Sequence, residues 1–190
     1  MIQSSNLCFF IYQCYLVKSN FTGEVLENLP GQEGSSYTWP SFLPGGDYAL
    51  ITERQADRSS RIMLLDTQSM QISPLIETAF NAKYVTTGHI VFARDSALWA
   101  VPFDLNENRI TGDQVPIILE LETDTNTGTA TYSFSDNRLM YLAGTDVANS
   151  SGGFNITSIS KSGGQEILEL PQQTYGNFNH SPNRPELAMT

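Results

Sequence analysis

The stretch WPSFLPGGDYALIT at residues 39–52 returns at the end of the chain as FNHSPNRPELAMT at residues 178–190. Two weaker copies lie between them, KYVTTGHIVFA at 83–93 and YSFSDNRLMYLAG at 132–144. Aligning Gly46 with Gly88, Asn137 and Arg184 gives steps of 42, 49 and 47 residues (88−46, 137−88 and 184−137). Each copy has the pattern of a short strand, a tight turn and a returning strand. The chain is therefore built from a repeated β unit.

A repeat of about 40–50 residues made of short strands is typical of a β-propeller, in which each blade is a four-stranded antiparallel sheet. The first unit has predicted strands at 38–42, 48–52, 61–66 and 70–76, and the second at 82–85, 89–93, 97–103 and 115–119. We therefore predict an all-β propeller with complete blades at residues 35–80, 81–122 and 123–172. Residues 1–34 are predicted to be the end of a preceding blade, and residues 173–190 the start of a following one.

This count predicts about four blades and leaves two alternatives. Propellers close a ring of 4–8 blades and so hide their sheet edges. The first and last segments could pair into a fourth blade, or the chain could be part of a longer propeller. We favour the second alternative, because the sequence stops at Thr190 within a predicted strand.

The bulk composition argues against several partners. A net charge of −10 and a pI near 4.5 would repel phosphate backbones, so we expect no nucleic-acid partner. The apolar run LCFFIYQCYLV at 7–17 is shorter than the roughly 20 residues of a membrane helix and follows no Lys or Arg. We predict a strand there, with neither membrane insertion nor a signal peptide. On one strand Cys8 and Cys14 would lie about 20 Å apart, so two buried thiols are expected unless the chain reverses between them.

Few residues suggest chemistry. His89 and His180 have no zinc-binding spacing around them, and no G-x-S-x-G motif is present, so turn or surface histidines are expected. Asp66 and Asp104 each end a third strand, where a carboxylate that accepts from the backbone two residues on favours a turn. A metal or catalytic role is the lesser alternative for both.

The acidic loop with Glu120, Glu122 and Asp124 is expected to be a solvated connection, with a cation site as the alternative. Nine aromatic residues recur at comparable places in the units, and we expect them to pack one sheet on the next rather than to line a recognition surface: Tyr37, Trp39, Phe42, Tyr84, Phe92, Trp99, Phe103, Tyr132 and Phe134. The sequence assigns no residue to a catalytic, cofactor-binding or metal site.

These motifs resemble the TolB-like propeller, in the form that follows bacterial serine/threonine kinases and some winged-helix regulators. The most specific segment is ALWAVPFDLNENRITGDQVP at 97–116, similar to the family's LWAxPFD strand and TGEPVP turn. SPNRPELAMT at 181–190 resembles its SPDG turn, with Asn183-Arg184-Pro185 in place of Asp-Gly. The resemblance covers residues 18–190 and implies a partial piece of a six-bladed, periplasmic or extracytoplasmic propeller.

Kinase motifs such as H-R-D and D-F-G are absent from this sequence, so the resemblance implies a non-enzymatic sensor or docking module with no cofactor. It would bind a protein or small ligand through loops 53–60, 105–112 and 145–153, and a longer parent could carry the attached kinase or DNA-binding domain. The alternatives are a small metal-dependent propeller enzyme, lactonase-like or sugar-oxidising, and a truncated reading frame without independent function.

Overall fold

The computed structural model describes residues 2–4, 7–12, 15–20, 22–29, 34–135, 138–144, 155–168, 178–180 and 187–189. Side chains are discussed for 16–20, 22–29, 34–135, 138–144 and 156–168 only. The 21 strands are β1 Ile2–Ser4, β2 Leu7–Tyr12, β3 Tyr15–Asn20, β4 Val25–Leu29, β5 Ser36–Phe42, β6 Tyr48–Arg54, β7 Ser60–Asp66, β8 Ile72–Glu77, β9 Phe80–Val85, β10 His89–Arg94, β11 Ala97–Asp104, β12 Arg109–Ile110, β13 Val115–Ile118, β14 Thr123–Asp124, β15 Thr129–Ala130, β16 Tyr132–Phe134, β17 Arg138–Ala143, β18 Asn155–Ser160, β19 Gln165–Leu168, β20 Phe178–His180 and β21 Leu187–Met189.

The strands form successive antiparallel sheets in chain order, so the prediction of an all-β fold with four-stranded sheets is confirmed. The orders are β1-β2-β3-β4, β5-β6-β7-β8, β9-β10-β11 with both β12 and β13 on β11, and β16-β17-β18-β19, followed by the pair β20-β21. Each sheet is a meander of hairpins. The described residues contain no helix that is long and apolar enough to cross a membrane.

Two segments differ from the strand predictions. Residues 1–34 contain a four-stranded sheet rather than the back half of one, because the apolar run at 7–17 reverses between Tyr12 and Tyr15 and pairs with itself. The straight strand assumed for the Cys8–Cys14 separation is therefore wrong, while Cys14 and the side chain of Cys8 lie outside the described residues. The second difference is in loop 105–112, which was predicted to be a polar loop. It contains the short strand β12, which pairs with the end of β11.

Side chains alternate along strands β6 and β10, so each of these strands contributes to the hydrophobic cores on both faces of its sheet. On β6, Ala49 and Ile51 face the preceding sheet in a cluster with Leu16, whereas Leu50 faces the following sheet in a cluster with Phe92. Strand β10 repeats this arrangement, with Ile90 and Phe92 on one face and Val91 and Ala93 on the other. Because side chains two residues apart share a face of a strand, the same short apolar run supplies two cores.

The two turn aspartates behave as predicted. Asp66 Oδ1 accepts from the backbone N–H of Gln68 at 2.8 Å and of Ser69 at 3.0 Å. Asp104 Oδ1 accepts from the N–H two residues on at 2.8 Å. The two N–H donors hold the pKa of Asp66 below its usual range. Both carboxylates therefore close the turn that follows a third strand.

Candidate functional site: the bulged inner strands

First strands of neighbouring sheets lie against each other, as β5 lies against β9 and β16 against β20. We call these first strands the inner strands. Both β5 and β9 carry a bulge, because their pairing shifts register between Thr38 and Ser41 and between Phe80 and Lys83. The first bulge contains Trp39 and the second contains Asn81, and these two residues are 42 positions apart, as are the turn glycines. The bulge is therefore a repeated feature of the unit.

Each bulge forces a non-glycine residue into the left-handed region. Trp39 and Asn81 both have φ of 51°. Asn adopts this conformation readily, whereas a bulky side chain does so only at a cost in energy. The same backbone conformation is therefore easier for Asn81 than for Trp39. The hydrogen bonds around the two residues also differ.

The bulge at Asn81 is closed by hydrogen bonds to its two neighbouring sheets. Its backbone N–H donates to Thr52 Oγ1 at 2.9 Å, and its Nδ2 donates to the carbonyl oxygen of Ala130 at 2.8 Å. The carbonyl oxygen of Asn81 accepts from the phenol of Tyr132, which also donates to the carbonyl of Val91 at 3.3 Å. Asn81 is buried, and its backbone N–H, its carbonyl oxygen and its Nδ2 each have a partner. It therefore joins three consecutive sheets.

The bulge at Trp39 is open by the same measure. Three buried polar atoms in β5 and the residue before it have no hydrogen-bond partner among the described residues: Ser35 Oγ, Thr38 Oγ1 and Trp39 Nε1. Buried polar atoms without a partner are rare, and each costs about 1–3 kcal/mol. Three such atoms within five residues therefore mark a place where hydrogen-bonding groups of the protein are left without partners.

A lysine with no carboxylate partner lies two residues beyond Asn81 on the same inner strand. Lys83 Nζ donates to the carbonyl oxygen of Tyr132 at 3.1 Å and lies 4.7 Å from the centre of the Tyr132 ring. Among the described residues it forms no ion pair. Burial lowers the pKa of Lys83 to about 8. Burial also raises the pKa of the Tyr132 phenol well above its usual range, so the phenol stays neutral beside it.

A buried ion pair stands where β6 and β7 meet the start of the inner strand β5. Glu53, only 1% exposed, accepts from Arg61 Nε at 2.6 Å, and Glu53 is paired in register with Tyr37. The hydrogen bond to Glu53 raises the pKa of the guanidinium. The pKa of Tyr37 is raised by burial first and by the Glu53 carboxylate second. The pair supports the strand that carries Trp39.

The nine recurring aromatics pack the sheets together, as predicted, with one exception. Tyr37, Phe92, Phe103 and Tyr132 are buried in the clusters between sheets, and Phe42, Tyr84, Trp99 and Phe134 pack against those clusters. Trp39 belongs to none of these clusters. Packing in the described hydrophobic clusters therefore does not explain why residue 39 is a tryptophan.

The two histidines show no metal-binding arrangement among the described residues. His89 begins β10 as expected, and its Nδ1 lies 3.0 Å from the carbonyl oxygen of Thr87 in the turn. The side chain of His180 lies outside the described residues, although His180 itself ends β20. No group of three or more His, Cys, Asp or Glu side chains within the described part of the chain could hold a metal ion.

The acidic loop is a connection between sheets. The backbone of Leu121 bridges to Ala143 while its side chain is buried in the core, which leaves Glu120 exposed and Glu122 half-buried. Asp124 accepts from Thr127 Oγ1 at 2.9 Å and from the N–H of Asn126 at 2.8 Å, and these bonds lower its pKa. The three carboxylates therefore do not converge.

The three loops predicted to bind a partner do not all lie at the same end of their sheets. Loop 53–60 joins β6 to β7, and Arg54 beside it donates to the carbonyl oxygen of Thr125 at 3.0 Å. Loop 105–112 follows β11, whose Phe103 donates to the carbonyl of Gly88 in the first hairpin turn, so it lies at the opposite end of its sheet. Loop 145–153 lies outside the described residues.

The solved structures most informative for this chain are propellers. TolB from Acinetobacter baumannii matches with 17% identity and a TM-score of 0.58, over 89% of this chain and 41% of that one. The fold is a β-propeller. A luciferin-regenerating enzyme matches with 11% identity and a TM-score of 0.65, over 98% of this chain and 66% of that one. The β-propeller domain of the trilobed protease from Pyrococcus furiosus matches with 9% identity and a TM-score of 0.52, over 85% and 50%.

The similarity is one of fold. The sequence matches no protein-family model and no curated protein. The chain spans between two fifths and two thirds of the length of these three solved structures. Their names cover both enzymes and TolB, so the propeller shared with them leaves the activity to be argued from this chain's own residues.

Sequence reasoning grouped Trp39 and Tyr132 with the core aromatics and passed over Asn81 and Lys83. A signal for Lys83 was present, since it is a lone cation between apolar residues on an inner strand and Ser41 takes its place in the preceding unit. The bulge carried no comparable signal, because it depends on the register of two strands.

Proposed function

We propose that this chain is a non-catalytic recognition module that binds a polar ligand at the bulge of β5. One observation carries the proposal. The same bulge occurs in two consecutive units, and it is closed at Asn81 by partners from two sheets but left with three unpartnered polar atoms around Trp39. A repeated backbone with one unsatisfied copy is expected where a bound molecule supplies the missing partners.

The chemistry of the open bulge favours an uncharged ligand rich in oxygen acceptors. The indole of Trp39 is a donor only, and the hydroxyls of Ser35 and Thr38 both donate and accept. The charges closest along the sheet, Glu53 and Arg61, neutralise each other as an ion pair, and the chain carries a net charge of −10. A peptide main chain, presented by a partner protein, has alternating carbonyl and N–H groups that suit this set.

In the wider molecule, we propose that the module is the sensor or docking part of a bacterial multidomain signalling protein with a six-bladed propeller. The support for this part is the resemblance of residues 97–116 to the kinase-associated propellers. We propose the blade limits 35–80, 81–122 and 123–172 within that propeller.

The test uses the two tryptophans of the chain. Wild type, Trp39→Phe and Trp99→Phe are screened against a set of uncharged peptides and a set of neutral oligosaccharides, with binding followed by calorimetry. Trp99 is the matched control, because its Nε1 is also buried without a partner but its ring packs against the core between the sheet of β5–β8 and the sheet of β9–β13. We expect peptide binding that is lost in Trp39→Phe and kept in Trp99→Phe.

Binding that survives in Trp39→Phe, or a failure of every peptide and oligosaccharide to bind the folded wild type, would remove the proposal. Metal analysis of the purified protein addresses the enzyme alternative, because a tightly bound stoichiometric ion would favour a metal-dependent activity instead.

A further inference from the structure

We infer that Lys83 is a covalent attachment site for carbonyl compounds, in particular aldehydes, which condense with its amine to form an imine. This inference is independent of the Trp39 site, since it rests on a different inner strand and on a different sheet interface.

The position of the amine carries the inference. Lys83 is on β9, between the sheet that begins with β9 and the sheet that begins with β16, and the residue is partly exposed, so a small molecule can reach it from solvent. Its Nζ has one hydrogen bond, to the carbonyl oxygen of Tyr132, and the face of the Tyr132 ring beneath it. An ammonium has three N–H donors and is stable when they are solvated or paired with carboxylates. The amine of Lys83 is only partly exposed and has no carboxylate partner among the described residues.

The preceding unit has no amine at this place. Ser41 takes the equivalent position on β5, two residues after Trp39. A half-buried lysine that forms no ion pair has one hydrogen bond in return for its desolvation, so its presence at one unit of a repeat favours a chemical use.

The charged groups of the strands packed against β9 are bonded elsewhere. On β6 and β7, Glu53 and Arg61 pair with each other, and Arg54 donates to the carbonyl oxygen of Thr125. On β10, His89 is bonded to the turn residue Thr87, and Arg94 donates to two backbone carbonyls at the far end of the strand. On β16 the Tyr132 phenol is neutral and donates to backbone carbonyls. Burial is accordingly the cause of the lowered pKa of Lys83.

The consequence is a larger population of the neutral amine near neutral pH. With a pKa of about 8, roughly a quarter of Lys83 is neutral at pH 7.5, against about a thousandth for an ordinary lysine. The neutral amine attacks an aldehyde carbon and forms the C–N bond. Both protons of the nitrogen then leave with the carbonyl oxygen as water, which gives the imine. Desolvated lysines are the ones that form Schiff bases in proteins.

The experiment labels the full chain with benzaldehyde and sodium cyanoborohydride at pH 7.5 and measures the labelling rate of each amine by peptide mapping. The reductant delivers hydride to the imine carbon, solvent supplies the proton to nitrogen, and the product is a stable secondary amine. Lys161, exposed in the turn after β18, is the internal control within the same molecule. We expect Lys83 to react about tenfold faster than Lys161 or more.

Two further readouts separate reactivity from simple exposure. The rate at Lys83 should level off above about pH 8 while the rate at Lys161 continues to rise, and denaturing urea should abolish the difference between them. Equal or slower labelling of Lys83 in the folded protein would overturn the inference, and so would a preference that persists in urea. Because every comparison is made within one chain, no substitution that could impair folding is needed.

Discussion

Replacing Asn81 tests whether the bulge of β9 holds three sheets together. In Asn81→Ala the backbone bonds of residue 81 to Thr52 and Tyr132 remain, but the hydrogen bond from Nδ2 to Ala130 is lost. The carbonyl of Ala130 is then buried without its partner. Alanine must also adopt the φ of 51° that asparagine tolerates. We expect a marked loss of stability.

The magnitude has two parts that can be separated. An orphaned buried carbonyl costs about 1–3 kcal/mol, and the left-handed conformation costs alanine about 1–2 kcal/mol. Asn108 supplies the control, since it has φ of 50° in a turn and its side chain takes part in none of the described hydrogen bonds. Asn108→Ala should therefore lose only the second part, and Asn81→Ala both, about 3 kcal/mol in total.

The free energy of unfolding is measured by urea titration and the Tm by calorimetry. For a chain of this length about 3 kcal/mol corresponds to a Tm lower by about 6–12 °C. Asn81→Gly removes the hydrogen bond but relieves the backbone, so it should fall between the two alanine variants. If Asn81→Ala and Asn108→Ala lose the same stability, the side-chain bond between sheets contributes nothing and the reasoning fails.

Three further predictions concern charged groups. Arg61→Met should lower the free energy of unfolding by about 3 kcal/mol, because it leaves the buried carboxylate of Glu53 unpaired; adding Glu53→Gln should restore much of this, as urea titration of both variants will show. Lys83 has a pKa of about 8 in the folded state, so the unfolded chain binds more protons above that pH. Wild type should therefore gain stability between about pH 8 and 10 relative to Lys83→Met, measured at both pH values. The pKa of Asp66 is lowered by backbone donors, so its contribution is present above about pH 4 and is lost on acidification; Asp66→Asn should flatten the fall in Tm below pH 4.

Features that depend on neighbouring residues could be predicted from the sequence. The turns after the third strands follow from Asp66 and Asp104, because an aspartate that caps its own backbone needs no distant partner. The sheets follow from short apolar runs separated by turn residues at a regular period. The role of Leu50 in one core and Ile51 in another follows from the alternation of a strand.

Features that depend on register could not be predicted. The run at 7–17 has strand composition throughout, and only its pairing with itself shows that it is two strands. The bulges at Trp39 and Asn81 arise because each inner strand has one more residue than its partner can pair, and no residue type marks that position. The resemblance likewise predicted one binding surface from several loops, but it could not show that loop 53–60 and loop 105–112 lie at opposite ends of their sheets.

Because the unit is repeated, the bulges at Trp39 and Asn81 can be compared within one molecule. Trp39 and Asn81 have the same φ at the same step of two units, a conformation that Asn tolerates better than Trp. The hydrogen bonds of the side chains differ as well, because Asn81 Nδ2 donates to Ala130, whereas Ser35 Oγ, Thr38 Oγ1 and Trp39 Nε1 have no partner among the described residues. If the unpartnered atoms served stability, then a Trp39→Asn substitution, which supplies the side chain that closes the second bulge, should leave the fold less stable. We expect the opposite, a gain in stability with loss of peptide binding, because side chains retained for binding are commonly kept at the expense of the fold.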